Sequence, residues 1–222
     1  MRKVVASAFV SLDGVMQAPG GPEEDSTGGF KYGGWTAPLF DETVGAAMGE
    51  IFARPFELLL GRKTYDIFAA HWPHAEGGPD DAIAKLFNKM RKYVATRSSG
   101  PLSWSNSVAI HDAATDVARL KRETGPDLMV QGSSGLVQTL LRHDLIDELT
   151  LLVFPVVLGS GKRFFGEGAQ PRTLKLQSSK TSPSGVTMNR YTPAGALKTG
   201  SFALENPTPA ETARREKMKR EG

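Results

Sequence analysis

The chain contains no cysteine. Disulfides, thiolate catalysis, iron–sulfur clusters and cysteine-ligated zinc are therefore excluded, and so is zinc nucleoside deamination, which needs a cysteine pair. No apolar run approaches the roughly 20 residues of a membrane span. Met1-Arg2-Lys3 leads straight into a strand-like run with no small-residue cleavage site, so a cytoplasmic protein without a membrane partner is expected. Charge of one sign is scarce too, since 27 basic residues exceed 24 acidic ones by three. Much of that excess sits near the C-terminus, at Arg214, Arg215, Lys217, Lys219 and Arg220. Without interleaved aromatics this cluster argues against a nucleic-acid partner. His71, His74, His111 and His143 lack metal-ligand spacing, and no metal site is expected.

What is present fits one α/β domain, for which 222 residues supply an adequate core. Apolar, β-branched runs at 3–10, 56–60, 93–96, 108–110 and 128–130 read as buried strands. Helical patterns alternate with them: one after Asp41, one opening at Gly61-Arg62-Lys63-Thr64, one near 80–90, one capped by Asp112 and closed by Gly125, and one after Gly135. The sequence 71–74 (HWPH) reads as loop structure. Alternation implies a largely parallel sheet with helices on both faces. A long apolar strand is expected at 148–157, followed by strands at 173–177 and 186–191 that form antiparallel edges. Residues 1–195 form the domain, and 196–222 a charged extension, helical or disordered, with a capping-box start at Thr208-Pro209-Ala210-Glu211.

Three junctions carry chemistry, all at carboxyl ends of strands, where open α/β sheets bind ligands. Gln131-Gly132-Ser133-Ser134-Gly135 opens a helix whose free N–H groups and positive dipole end suit a phosphate. It lacks GxGxxG spacing, and a plain tight turn is the bland alternative. Gly61-Arg62-Lys63-Thr64 adds two cations and a hydroxyl at a helix start. Cations there oppose the dipole unless an anion receives them, though a surface basic pair would look the same. Thr96-Arg97-Ser98-Ser99 suits a phosphomonoester, against the alternative of a polar surface loop. The conjunction is less ordinary than any member.

Gly61-Arg62-Lys63-Thr64-Tyr65 resembles the Gly-Arg-x-Thr element of dihydrofolate reductases. Over about residues 1–191 the chain is more similar to their relatives, the reductase domains of bacterial riboflavin biosynthesis. Ser11-Leu12-Asp13-Gly14, Val130-Gln131-Gly132-Ser133 and the stretch from Leu145-Ile146-Asp147-Glu148-Leu149 through Pro155-Val156-Val157-Leu158-Gly159-Ser160-Gly161 resemble motifs of that family. The resemblance implies a dihydrofolate-reductase-like α/β fold and an NADPH cofactor. Arg62 to Thr64, with Gly61 and Lys63, would hold phosphate groups, and Thr96 and Arg97 would lie by the adenosine 2′-phosphate. Gly132 to Val137, including Ser133, Ser134, Gly135 and Leu136, would cradle the pyrophosphate and approach the nicotinamide, with Gln131 in the first place of a turn usually written Gly-Gly. That departure bears on a cis bond, which costs about 3 kcal/mol at a non-proline residue. Asp13, Gly14 and Val15 would border the active-site loop.

Dihydrofolate reductases place a carboxylate on the first helix shortly after a tryptophan. Here Trp35 precedes Asp41 and Glu42, so Asp41 is a candidate acid and equally a helix N-cap; Asp13 is the other catalytic candidate. The expected function is an NADPH-dependent reductase acting on a small pterin-, pyrimidine- or carbonyl-like molecule. Two alternatives stand: the ribosylaminopyrimidine-phosphate reductase of riboflavin biosynthesis and a non-catalytic NADP(H)-binding protein. A homodimer is expected, pairing through a sheet edge that includes 149–158.

Overall fold

The computed structural model describes residues 1–167 and 169–221. Eight strands form one sheet in the order β4-β3-β2-β5-β1-β6-β8-β7. They are β1 (Val4–Ser11), β2 (Phe56–Gly61), β3 (Lys92–Ala95), β4 (Ser107–Ile110), β5 (Asp127–Gln131), β6 (Glu148–Phe154), β7 (Arg172–Thr181) and β8 (Thr187–Ala196). Strands β1 to β6 run parallel, and β8 pairs antiparallel with both β6 and β7. This is the dihydrofolate-reductase-like α/β architecture, a parallel sheet with an antiparallel C-terminal edge.

Helices α1 (Glu42–Phe52), α2 (Arg62–His71), α3 (Asp81–Lys89), α4 (Ala113–Arg122) and α5 (Ser134–Arg142) cover the sheet. The two-residue period of the strands decides which face each helix meets. Val4, Ala6, Ala8, Leu59, Leu128 and Val130 turn to one face and pack with Val117 and Leu120 of α4 and Val137 and Leu140 of α5. Val5, Leu58, Leu60 and Met129 turn to the other, against Phe52 of α1, Phe68 of α2 and Phe87 of α3. So α4 and α5 lie on one face, and α1, α2 and α3 on the opposite one.

Three details differ from the sequence expectation. The apolar run 149–158 does not form a sheet edge: β6 lies between β1 and β8 and ends at Phe154, before Pro155, which has no N–H to continue a ladder. The outer strand is β7, which with β8 makes a long, largely exposed ribbon that outruns its apolar core. The 71–74 stretch is helical, with His71 closing α2 and Trp72–His74 forming a 3-10 turn. Beyond β8 the chain ends in α6 (Pro209–Glu221), which buries no side chain. No helix among the described residues is long and apolar enough to cross a membrane.

Candidate active site

A cleft of about 1630 Å³ follows the carboxyl ends of β4, β3, β2, β5 and β1. It crosses the rim of the sheet, from Ala113, Ala114, Thr139 and Arg142 of α4 and α5 to Met48, Phe52, Ile67 and Ile83 of α1, α2 and α3. At the rim stand two helix starts, α2 after Gly61 and α5 after Ser133, and neither has a side-chain N-cap or an acid in its first turn. First-turn N–H groups have no partner within their own helix, and here they face a cleft at the positive dipole end.

Gly61 has no side chain with which to cap α2, and Ser133 spends its own hydroxyl elsewhere. It sits in the left-handed region at φ 62°, ψ 67°. Its hydroxyl, which would ordinarily cap its own helix, accepts instead from Gly61 N–H at 2.8 Å and donates to Thr64 Oγ1 at 2.7 Å. One side chain thus ties the two junctions together and leaves the Thr64 hydroxyl proton free to donate. Gly61 permits the approach, since a Cβ there would stand 3.1 Å from Ser133 Cβ and Oγ. Gly132 takes φ +66°, a conformation that penalises side-chain-bearing residues. No peptide bond among the described residues is cis, so the Gln131–Gly132 bond is trans.

Cations cluster on this rim. Arg62, Lys63, Arg97 and Arg142 line the cleft. Arg62 Nε binds Asp66 at 2.8 Å, whereas its Nη1 is shielded from solvent and has no partner among the described residues. Gln131 Nε2 is likewise buried without a partner. Unpaired buried donors are unfavourable, and a bound acceptor would relieve both. Thr96 is more constrained: its hydroxyl accepts from Ser98 N–H at 3.0 Å, and its carbonyl meets His111 Nδ1 at 3.0 Å.

Of the residues singled out from sequence, Gly61, Arg62, Lys63, Thr64, Thr96, Arg97 and Gln131 to Leu136 line the cleft. Four do not. Val137 is buried between α5 and the sheet. Gly14 forms a turn at φ +82°, bonded to Ser11 and Phe164. The Asp13 carboxylate accepts from the Ser11 hydroxyl at 2.6 Å and from Leu158 and Gly159 N–H at 3.1 and 2.8 Å. The Ser11 hydroxyl, aided by those backbone donors, holds its pKa down to about 2. An acid so engaged braces the loop after β6 and is a poor proton carrier. Asp41 is the N-cap of α1, accepting from Val44 N–H at 3.0 Å and Ser184 N–H at 3.0 Å. The Val44 amide and the Ser184 contacts hold its pKa at about 2. The structure thus favours the cap over the catalytic role.

The sequence reading missed the other wall. Residues 17–36, rich in Gly and Pro, form an ordered strap. The nearly buried Gln17 donates to Asp25 and Thr27 carbonyls and accepts from Lys162 N–H. Trp35 Nε1 donates to Gln17 O, and Thr36 Oγ1 to Pro19 O. Gly33 lets the strap close, because a Cβ there would lie 2.4 Å from Gly21 O. The strap brings Glu24 and Asp25 to the cleft opposite His71, with Lys162 bonded to Asp25.

The eight-stranded sheet with its antiparallel C-terminal edge places the protein in the dihydrofolate-reductase-like fold. More narrowly, residues 2–188 match the family described as the RibD C-terminal domain, and the chain belongs to that family. The chain is 28% identical over 193 residues to the uncharacterized protein YyaP of Bacillus subtilis (strain 168), covering 86% of this chain and 94% of that one. A pyrimidine reductase-like protein from Corynebacterium diphtheriae shares the fold with a TM-score of 0.56 at 13% identity, over 87% of this chain and 92% of that one. Dihydrofolate reductase from Enterococcus faecalis, solved with NADP(H) and RAB-propyl, does so with a TM-score of 0.55 at 13% identity, over 86% and 96%.

Proposed function

We propose that the chain is a cytoplasmic, NADPH-dependent reductase of a small pterin-, pyrimidine- or carbonyl-like substrate. The observation that carries this reading is the pair of uncapped helix starts, α2 and α5, stitched by Ser133 and flanked by Arg62, Lys63 and Arg97. Two positive helix ends beside unpaired donors suit a pyrophosphate, and the NADP(H) solved with the Enterococcus dihydrofolate reductase contains one. Bound there, the dinucleotide supplies a hydride. The chain's own residues do the rest. First-turn amides of α2 and α5 would bind the pyrophosphate, and Arg97 and Arg62 would receive the 2′-phosphate. Gln131 would offer its free Nε2 to the nicotinamide end, and the strap would exclude water.

The arm over α1, α2 and α3 is lined by apolar side chains together with the acids Glu24, Asp25 and Asp80, the imidazole of His71, and Lys162, which is held by Asp25. That balance suits an uncharged ring better than a phosphate ester, which favours the general reductase over the ribosylaminopyrimidine-phosphate reductase. Calorimetry with NADPH and NADH tests the reading. A charge-assisted contact to the 2′-phosphate should favour NADPH by about 1.5–3 kcal/mol, and Arg97→Ala should lose that preference. Equal affinities in the wild type would overturn it, and binding without turnover of any acceptor would favour the non-catalytic alternative. We also propose a homodimer, pairing through the β7–β8 ribbon and not β6, for which a monomeric mass in light scattering at micromolar concentration is the contrary result.

A further inference from the structure

With Asp41 committed to capping α1, the cleft needs another proton source. Two adjacent carboxyls reach it from the strap, and their surroundings differ. Asp25 is enclosed by the Lys162 ammonium and by Thr27, whose backbone N–H donates at 3.1 Å and whose hydroxyl also binds it. Burial works against its charge, yet Lys162 and Thr27 prevail and hold its carboxyl below the ordinary range. Glu24 has no ion-pair partner among the described residues. Its Oε2 accepts from Gly20 N–H at 2.6 Å, which fixes the carboxyl against the cleft wall. Gly20 allows this, since a Cβ there would lie 3.1 Å from that oxygen.

We propose that Glu24 is the proton donor of this cleft, delivering its carboxyl proton from the strap to the nitrogen or oxygen of a substrate C=N or C=O bond. The inference rests on the reductase reading above. In the balanced step, the substrate π bond breaks as a C–H bond forms with hydride from a dihydronicotinamide, which becomes the oxidised ring. An N–H or O–H bond forms with the Glu24 proton, and the resulting carboxylate regains a proton from water. Burial pushes the Glu24 carboxyl above its ordinary value. The Gly20 and Gly21 amides and the nearby His71 oppose that rise, while the Asp25 charge adds to it. Neighbouring acids whose environments drive them apart commonly divide into a proton donor and a fixed charge.

The test uses Glu24→Gln and Glu24→Asp in the full chain, with 7,8-dihydropterin and methylglyoxal as C=N and C=O probes. Glu24→Gln keeps an acceptor for Gly20 N–H, so NADPH affinity should stay within about twofold, while kcat falls by about 10²- to 10⁴-fold. Wild-type kcat should decline as pH rises through the Glu24 midpoint, a limb that Glu24→Asp retains and Glu24→Gln lacks. In the NADPH-bound protein, carboxyl ¹³C NMR should show Glu24 titrating above the exposed glutamates, and His71→Gln should move it higher still. Wild-type turnover by Glu24→Gln, or a Glu24 that titrates with the exposed glutamates, overturns the proposal alone. A wild-type protein that fails to bind NADPH overturns the reductase reading and the proposal with it. If neither probe is reduced, the NMR midpoint decides for or against Glu24.

Discussion

Ser133→Ala tests the coupling of the two helix starts. The substitution deletes two hydrogen bonds, from Gly61 N–H and to Thr64 Oγ1. At about 1 kcal/mol each, the loss is about 2 kcal/mol. In a domain of this size, 1 kcal/mol moves Tm by about 2–4 °C, so Ser133→Ala should melt about 4–8 °C lower. Ser133→Gly loses the same bonds but escapes the left-handed penalty that Ser133 bears at φ 62°, about 1 kcal/mol or more. It should therefore lie between wild type and Ser133→Ala. NADPH affinity should fall about tenfold in both, because the Thr64 hydroxyl loses its fixed orientation. Calorimetric melting and isothermal titration read the two effects separately. An unchanged Tm in Ser133→Ala, or a glycine variant less stable than the alanine one, would refute the argument.

Gly132→Val should abolish NADPH binding by calorimetry and also lower Tm, since Gly132 holds φ +66° while its Cβ would meet only ordinary contacts with Thr64 at 3.7 Å. Asp13→Asn should cost about 1 kcal/mol near neutral pH. The Asp13 pKa is lowered from 3.8 to about 2, so its stabilisation is present above the unfolded value and lost as pH falls through the folded one. The two proteins' melting temperatures should therefore converge near pH 2. Lys92 is fully buried and donates to the carbonyls of Asn88, Met90 and Ser105. Lys92→Met strands all three and should destabilise by about 3 kcal/mol in urea titration. Burial lowers the Lys92 pKa from 10.5 to about 8, so this group's contribution to wild-type stability should rise between those two pH values, where the unfolded chain binds the extra proton.

The rim of the cleft was legible from the sequence because glycines and hydroxyls mark a strand-to-helix turn locally. Asp112, which caps α4 through Ala114 and Thr115 N–H, is legible for the same reason. The use Ser133 makes of its hydroxyl was not, since its partners Gly61 and Thr64 lie 72 and 69 residues away. Asp41 read as acid or cap, and only the approach of Ser184, 143 residues on, weighs the choice towards the cap. The strap was not legible, because its order depends on Gln17, Trp35 and Lys162 meeting across the fold. Glycine at position 33 was a signal of close approach, but one that names no partner. The β6 run was correctly apolar, yet a strand's place in the sheet is not written in its own pattern. A buried interior strand and a covered edge look alike. The β7–β8 ribbon outran its expected length because its exposed half, with residues such as Ser178, Ser179 and Lys180, has no apolar face to announce it.

Because the cleft passes over the rim of the sheet, its two halves draw on separate walls. Changing Met48, Phe52 or Ile83 would reshape one side without moving the turn at 132–136 that forms the other. Such a layout is modular. On the proposed reading, a lineage could adopt new acceptors by exchanging a few apolar side chains on α1 and α3 while its electron source stayed the same. An engineer could treat those positions as a cassette for redirecting the catalyst.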